Sequence, residues 1–208
     1  MTVPLPHLPL ARLRASRSDV VRPLLERSPQ WGHLAPYRSE VDGERGVVSY
    51  RTQPGSFCLQ VRFRRVRDEW HEGEVDVVPG SVVALRLVLD DVDPAAVTRS
   101  LELAPSRAFA KGDVGPLGRA VREEGLWIHE VLPDASCFPE EKVAELLALL
   151  RGRAGWARVL GWRGVRWAGI TAKLRCPIER PGGIALEPRV LEDFAGLSLA
   201  FDLELTNE

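Results

Sequence analysis

The sequence predicts an α+β fold: a mixed sheet of about four strands with helices packed on one face, preceded by an N-terminal extension that contains a β-hairpin. Three observations lead there. From residue 82 onward, strand-like alternation and helix-like periodicity follow one another as strand, helix, strand, helix, strand, helix, strand. Ahead of residue 78, two alternating runs flank a Pro-Gly pair, the signature of a turn between paired strands. The 208 residues are 45% hydrophobic and 27% charged, which suffices for a sizeable core and excludes a disordered or fibrous chain. The expected division is an extension over residues 1–77 and an α+β domain over residues 78–208.

The elements follow in chain order. Residues 1–17 are rich in proline and then in arginine, and read as an arm lying on the surface or partly disordered. The stretch 18–28, SDVVRPLLERS, reads as a short helix. The runs GVVSYRT and FCLQVRFRRV, joined by QPGS, read as a hairpin. In its second arm Phe57, Leu59, Val61 and Phe63 alternate with Cys58, Gln60, Arg62 and Arg64, giving an apolar face and a wet, cationic one. DEWHEGEVD then reads as a solvated acidic connector whose spacing matches no metal-binding motif.

In residues 82–90 Val83, Leu85, Leu87 and Leu89 share one face, with Arg86 interrupting the other. A helix starts after them, because Asp93 suits a cap and Pro94 the first turn. GLWIHEVL at 125–132 is a strand that sets Trp127 and His129 on one face. The helix after Phe138 opens with Pro139 and two glutamates and places Val143, Leu146, Leu147 and Leu150 on one stripe. Residues 166–176 form a third strand. PRVLEDFAGL is a short helix stopped by Gly196, and a final strand alternates Leu197, Leu199, Phe201 and Leu203.

Charge excludes some partners. With 28 lysines and arginines against 29 acids, the net charge of −1 provides no field to draw the whole chain onto nucleic acid or an anionic membrane. Residues 1–70 carry +5 and the rest −6, which fits docking of one part on the other. Cys58, Cys137 and Cys176 are odd in number and widely spaced, and read as reduced and buried. No apolar run approaches a membrane span, and the N-terminus lacks a basic start before an apolar core. The expected address is the cytoplasm.

Two clusters invite a functional reading. In APSRAFAKGDVG, Arg107, Lys111 and Asp113 surround Gly112, and together with Trp127 and His129 they form a candidate ligand site for an anion such as a phosphate ester. Neither phosphate-loop nor dinucleotide spacing is present, and a turn built on Gly112 and Asp113 explains the stretch more simply. In GWRGVRW, Trp162, Arg163, Arg166 and Trp167 interleave aromatic and basic groups, which suits a protein interface better than single-stranded nucleic acid. Asp90 and Asp91 end a strand and read as solvated. No catalytic residue, metal or cofactor is assigned.

The features VVALRLVLDDVDPAAVTRSLELAPSRAFAKGD, GLWIHEV, PEEKVAELLALL and LEPRVLEDFAGLSLAFDLEL resemble the bacterial domain-of-unknown-function family DUF4279 over residues 82–206. The resemblance implies an α+β cytosolic domain and carries over no catalytic residue. The expected function is a non-enzymatic protein-binding module, immunity-like or regulatory, that uses a sheet edge or the Trp and Arg surface. The alternatives are a small-molecule or phosphate-ester enzyme or ligand-binding protein at Lys111, Trp127 and His129, and nucleic-acid binding through the arginine-rich first part. A homo-oligomer is compatible with all three.

Overall fold

The computed structural model describes residues 5–6, 35–51, 57–115, 120–132, 136, 138–176 and 184–207. The fold is α+β. The chain divides into two compact units: residues 1–81 with 174–182 and 205–208, and residues 82–173 with 183–204. The expected arm and helix over 1–28, apart from residues 5–6, lie outside the described residues, as does the QPGS turn. Leu5 is buried in the first unit's apolar cluster.

A four-stranded antiparallel sheet forms the first unit, in the order β1 (Ala35–Asp42), β2 (Arg45–Arg51), β3 (Cys58–Val66), β4 (Glu69–Val78). The expected hairpin is β2 on β3, with Val48 opposite Val61 and Tyr50 opposite Leu59. Phe57, Leu59, Val61 and Phe63 are buried and Arg62 and Arg64 exposed, as the alternation predicts. Two readings need correction. The acidic stretch is the strand β4 and not a connector; its acids sit on the wet face, where Glu74 and Asp76 answer Arg62 at 3.9 and 2.8 Å. Cys58 is buried and disulfide-bonded, because folding brings together cysteines that sequence spacing keeps apart.

A five-stranded sheet and four described helices make up the rest. In chain order they are β5 (Gly80–Leu89), α1 (Pro94–Leu101), β6 (Arg107–Phe109), β7 (Gly125–Glu130), α2 (Pro139–Arg151), α3 (Trp156–Leu160), β8 (Val165–Cys176), α4 (Pro188–Gly196) and β9 (Ala200–Asn207). The sheet order is β6-β7-β5-β8-β9. β7 runs antiparallel to both β5 and β6. The contacts Asp90–Gly164 and Ala84–Thr171 make β8 antiparallel to β5. Lys173–Glu204 and Leu174–Thr206 advance together along both strands, so β9 is parallel to β8 and the sheet is mixed. The expected four strands become five through β6, a three-residue edge strand too short to show periodicity.

All four helices cover one face. Val83, Leu85, Leu87 and Leu89 of β5, Trp127 of β7 and Ile170 and Ala172 of β8 share a buried cluster with Val97 and Leu101 of α1, Val143, Leu146, Leu147 and Leu150 of α2, Trp156 and Val159 of α3, and Phe194 of α4. The predicted caps hold at α1: the Asp93 carboxylate accepts from the Ala95 amide at 2.9 Å, with Pro94 in the first turn. α4 does not stop at Gly196 by a left-handed glycine; the positive φ falls on Ser198, at +52°. The final alternating strand likewise starts at Ala200, after Leu197 and Leu199 have packed against the cluster. No helix among the described residues is long and apolar enough to cross a membrane.

β5 is the central strand, and Leu87 lies fully buried at its middle. Leu87→Ala should cost about 2–5 kcal/mol of stability in urea denaturation, because a close-packed core collapses only partly around the cavity. A loss below about 1 kcal/mol would contradict the packing described.

Candidate functional site

At the end of β5 the chain turns sharply. Asp91 adopts a left-handed conformation, φ +56°, which aspartate tolerates better than most residues, and this turns the backbone toward the cap of α1. Gly164 comes so close that a Cβ there would collide with the carbonyl oxygen of Asp90, and the Asp90 amide donates to the Gly164 carbonyl at 2.6 Å. The start of β8 is therefore held against the end of β5.

The Asp90 side chain extends this joint. One carboxylate oxygen accepts from Lys111 Nζ at 2.5 Å, and the other accepts from both the Nε of Arg166, at 3.1 Å, and its terminal nitrogen. Asp91 adds a second, longer contact to Lys111 at 3.6 Å. Hydrogen bonds from Lys111 and Arg166 hold the Asp90 carboxyl down at about 2, while the bond to Asp90 raises both cations above their ordinary values. Lys111 and Arg166, assigned by sequence to two separate sites, thus meet on one carboxylate. That carboxylate was read as merely solvated, because its partners lie 21 and 76 residues away.

Of the remaining members of the expected ligand site, Trp127 and His129 lie together, whereas Asp113 and Arg107 are turned to other uses. Gly112 has φ +88°, and the Asp113 carboxylate accepts from the Ala110 amide at 2.7 Å, so both residues build a turn. Gly112 and Arg122 then pair through the backbone at 2.8 Å. Trp127 is fully buried, and its indole donates to Thr98 Oγ1 at 3.0 Å. His129 stacks beside it, with ring centroids 6.3 Å apart. Its Nδ1 lies 2.7 Å from the Ala104 carbonyl, which can only accept, so Nδ1 carries the proton. Arg107 is opposite Ile128 in the register, which puts it on the sheet face away from Trp127 and His129.

The Trp and Arg cluster is also divided. Trp162 packs against the helix-side core, and Arg166 is engaged by Asp90. Trp167 lies over Gly169 with the Arg86 guanidinium 5.8 Å from its ring. Arg163 is exposed. No group of three His, Cys, Asp or Glu among the described residues is placed to hold a metal ion.

Sequence reasoning did not foresee how much of β9 would be uncovered. This strand ends the sheet order, and among the described residues no strand pairs with its outer edge. Phe201 and Leu203 remain 36% and 39% exposed, and Leu205 continues the row. Phe201 packs edge-on against Phe194 of α4 at 5.4 Å, which fixes the apolar row on the helix side. The alternation was visible in the sequence; the edge position was not.

The model of a family described as "Domain of unknown function (DUF4279)" matches residues 79–208. No curated protein and no solved structure matches the chain.

Asp90→Asn tests the charged joint. The folded carboxyl is lowered to about 2 from its ordinary value of 3.8, so its stabilising effect is full above that ordinary value and is lost as pH falls through about 2. The variant should therefore melt below the wild type at neutral pH, with the gap closing between these two values. A gap independent of pH would mean that the charge does not hold the joint.

Proposed function

With residues 79–208 matching its model, the chain belongs to the DUF4279 family, and from that premise we propose that it is a non-enzymatic protein-binding module, of the small bacterial immunity or regulatory kind, that holds its partner along the free edge of β9. The family description assigns no activity, so the reading rests on the geometry. What carries it is the exposure of Phe201 and Leu203 on an edge strand whose outer backbone groups have, among the described residues, no strand to pair with. Protein sheets ordinarily guard such an edge, since it is a template for strand addition. An added strand supplies backbone hydrogen bonds for affinity and side-chain contacts for specificity.

The surface around Trp162 and Trp167 contributes less, because Trp162 packs against the helix-side core, Arg86 lies over the Trp167 ring and Arg166 is held by Asp90. A phosphate-ester or small-molecule site at Lys111, Trp127 and His129 also finds less support, since the Trp127 ring has no surface to offer and Lys111 is occupied. Arginine-driven nucleic-acid binding is weakened where acids answer Arg62. The cytoplasmic address loses the support of reduced cysteines, because Cys58 is bonded and disulfides persist mainly in oxidising compartments.

Leu203→Asp puts a charge into the apolar row without touching the buried cluster. In affinity purification of the full chain, wild type should recover a stoichiometric protein that resists salt and nuclease. The variant should lose at least about tenfold of that recovery at an unchanged Tm, as hot-spot truncations do. Undiminished recovery by the variant would rule out β9 as the docking edge.

A further inference from the structure

Resting on that docking reading, we infer that the partner presents an amphipathic basic strand, with apolar residues alternating with lysine or arginine, and that Asp202 and Glu204 select it. The two faces of β9 differ in chemistry. Phe201 and Leu203 lie on the helix side, fixed by the contact with Phe194. Asp202 and Glu204 lie on the other, fixed by the Glu204–Lys173 ion pair at 3.0 Å, since the neighbours of Lys173, Ala172 and Leu174, are buried in the opposite direction. Lys173 approaches Glu204 from β8, on the inner side. Among the described residues no cation pairs with Asp202.

A strand added outside β9 must keep the pleat in phase, because side chains of paired strands point to the same face. Its helix-side residues would cover Phe201 and Leu203 and must be apolar. Its residues on the opposite face would stand against Asp202 and Glu204, where cations are favoured and acids repelled. The same charges disfavour a second copy of this chain in the registers that set Asp202 or Glu204 across from an acid of the other copy, since like charges directly across a sheet destabilise it. The acids therefore guard the edge against self-association in those registers while leaving it open to a basic strand.

The test uses the full chain and two short synthetic peptides, one alternating valine with lysine and one alternating valine with glutamate. Fluorescence anisotropy gives affinity, and hydrogen exchange over residues 200–206 gives location. The lysine peptide should bind about tenfold more tightly than the glutamate peptide and slow exchange in β9, and Asp202→Lys/Glu204→Lys should reverse the preference. Asp202→Lys alone, which breaks no ion pair described, should abolish most of the preference at an unchanged Tm. Equal binding of both peptides with β9 protected would overturn the basic-strand inference and leave docking at β9 standing. Failure of both peptides to protect β9 would overturn both.

Discussion

The carboxylate of Asp90 holds together three parts of the chain that the sequence keeps far apart. Lys111 brings the turn after β6, Arg166 brings the first residues of β8, and Asp90 itself ends the central strand. Two cations and backbone contact with Gly164 offset the cost of desolvating one carboxylate. Both cations reach it from solvent, so added salt weakens their attraction but leaves the backbone bond in place. Strand β8 leaves this joint beside β5, and β9 runs parallel to it after the crossover through α4. The position of the free edge therefore depends on where β8 begins.

A second constraint comes from one-sided burial. The apolar side chains of β5, β7 and β8 face α1 to α4, and Trp127 fills the space under α1 with its indole satisfied by Thr98. The cover thins toward β9, where Phe194 meets Phe201 while Leu203 and Leu205 stay exposed. A strand that alternates as regularly as any in the core is thus left half-exposed. Its Leu203 and Leu205 have the sequence of core residues and the surroundings of an interface.

These details show how far the sequence was legible. Periodicity located β5, β7, β8, β9, α1, α2 and α4, because each has enough apolar positions on one face to record its burial. Asp93 and Pro94 marked the start of α1 through local chemistry alone. The strand β6 and the five-residue α3 left no comparable trace. β4 was hidden by acids that disfavour strands in isolation and are tolerated here beside Arg62. The joint at Asp90 was illegible for a different reason: its partners are fixed by tertiary structure, and no spacing rule links residues 90, 111 and 166. Lys111 and Arg166 drew attention as cations, but what they serve could be read only once their common carboxylate was in view. The disulfide at Cys58 was hidden in the same way.

The central claim is that the uncovered edge of β9 is where this protein meets its partner. A photo-crosslinking amino acid placed at Leu203 tests it most directly, with control positions at Val121 and Leu132, which are also exposed and apolar but lie off this edge. Irradiation in the cells from which the protein comes should give one discrete protein adduct from position 203 and none from the controls. A discrete adduct from Val121 or Leu132 with none from 203 would contradict the account and move the interface elsewhere.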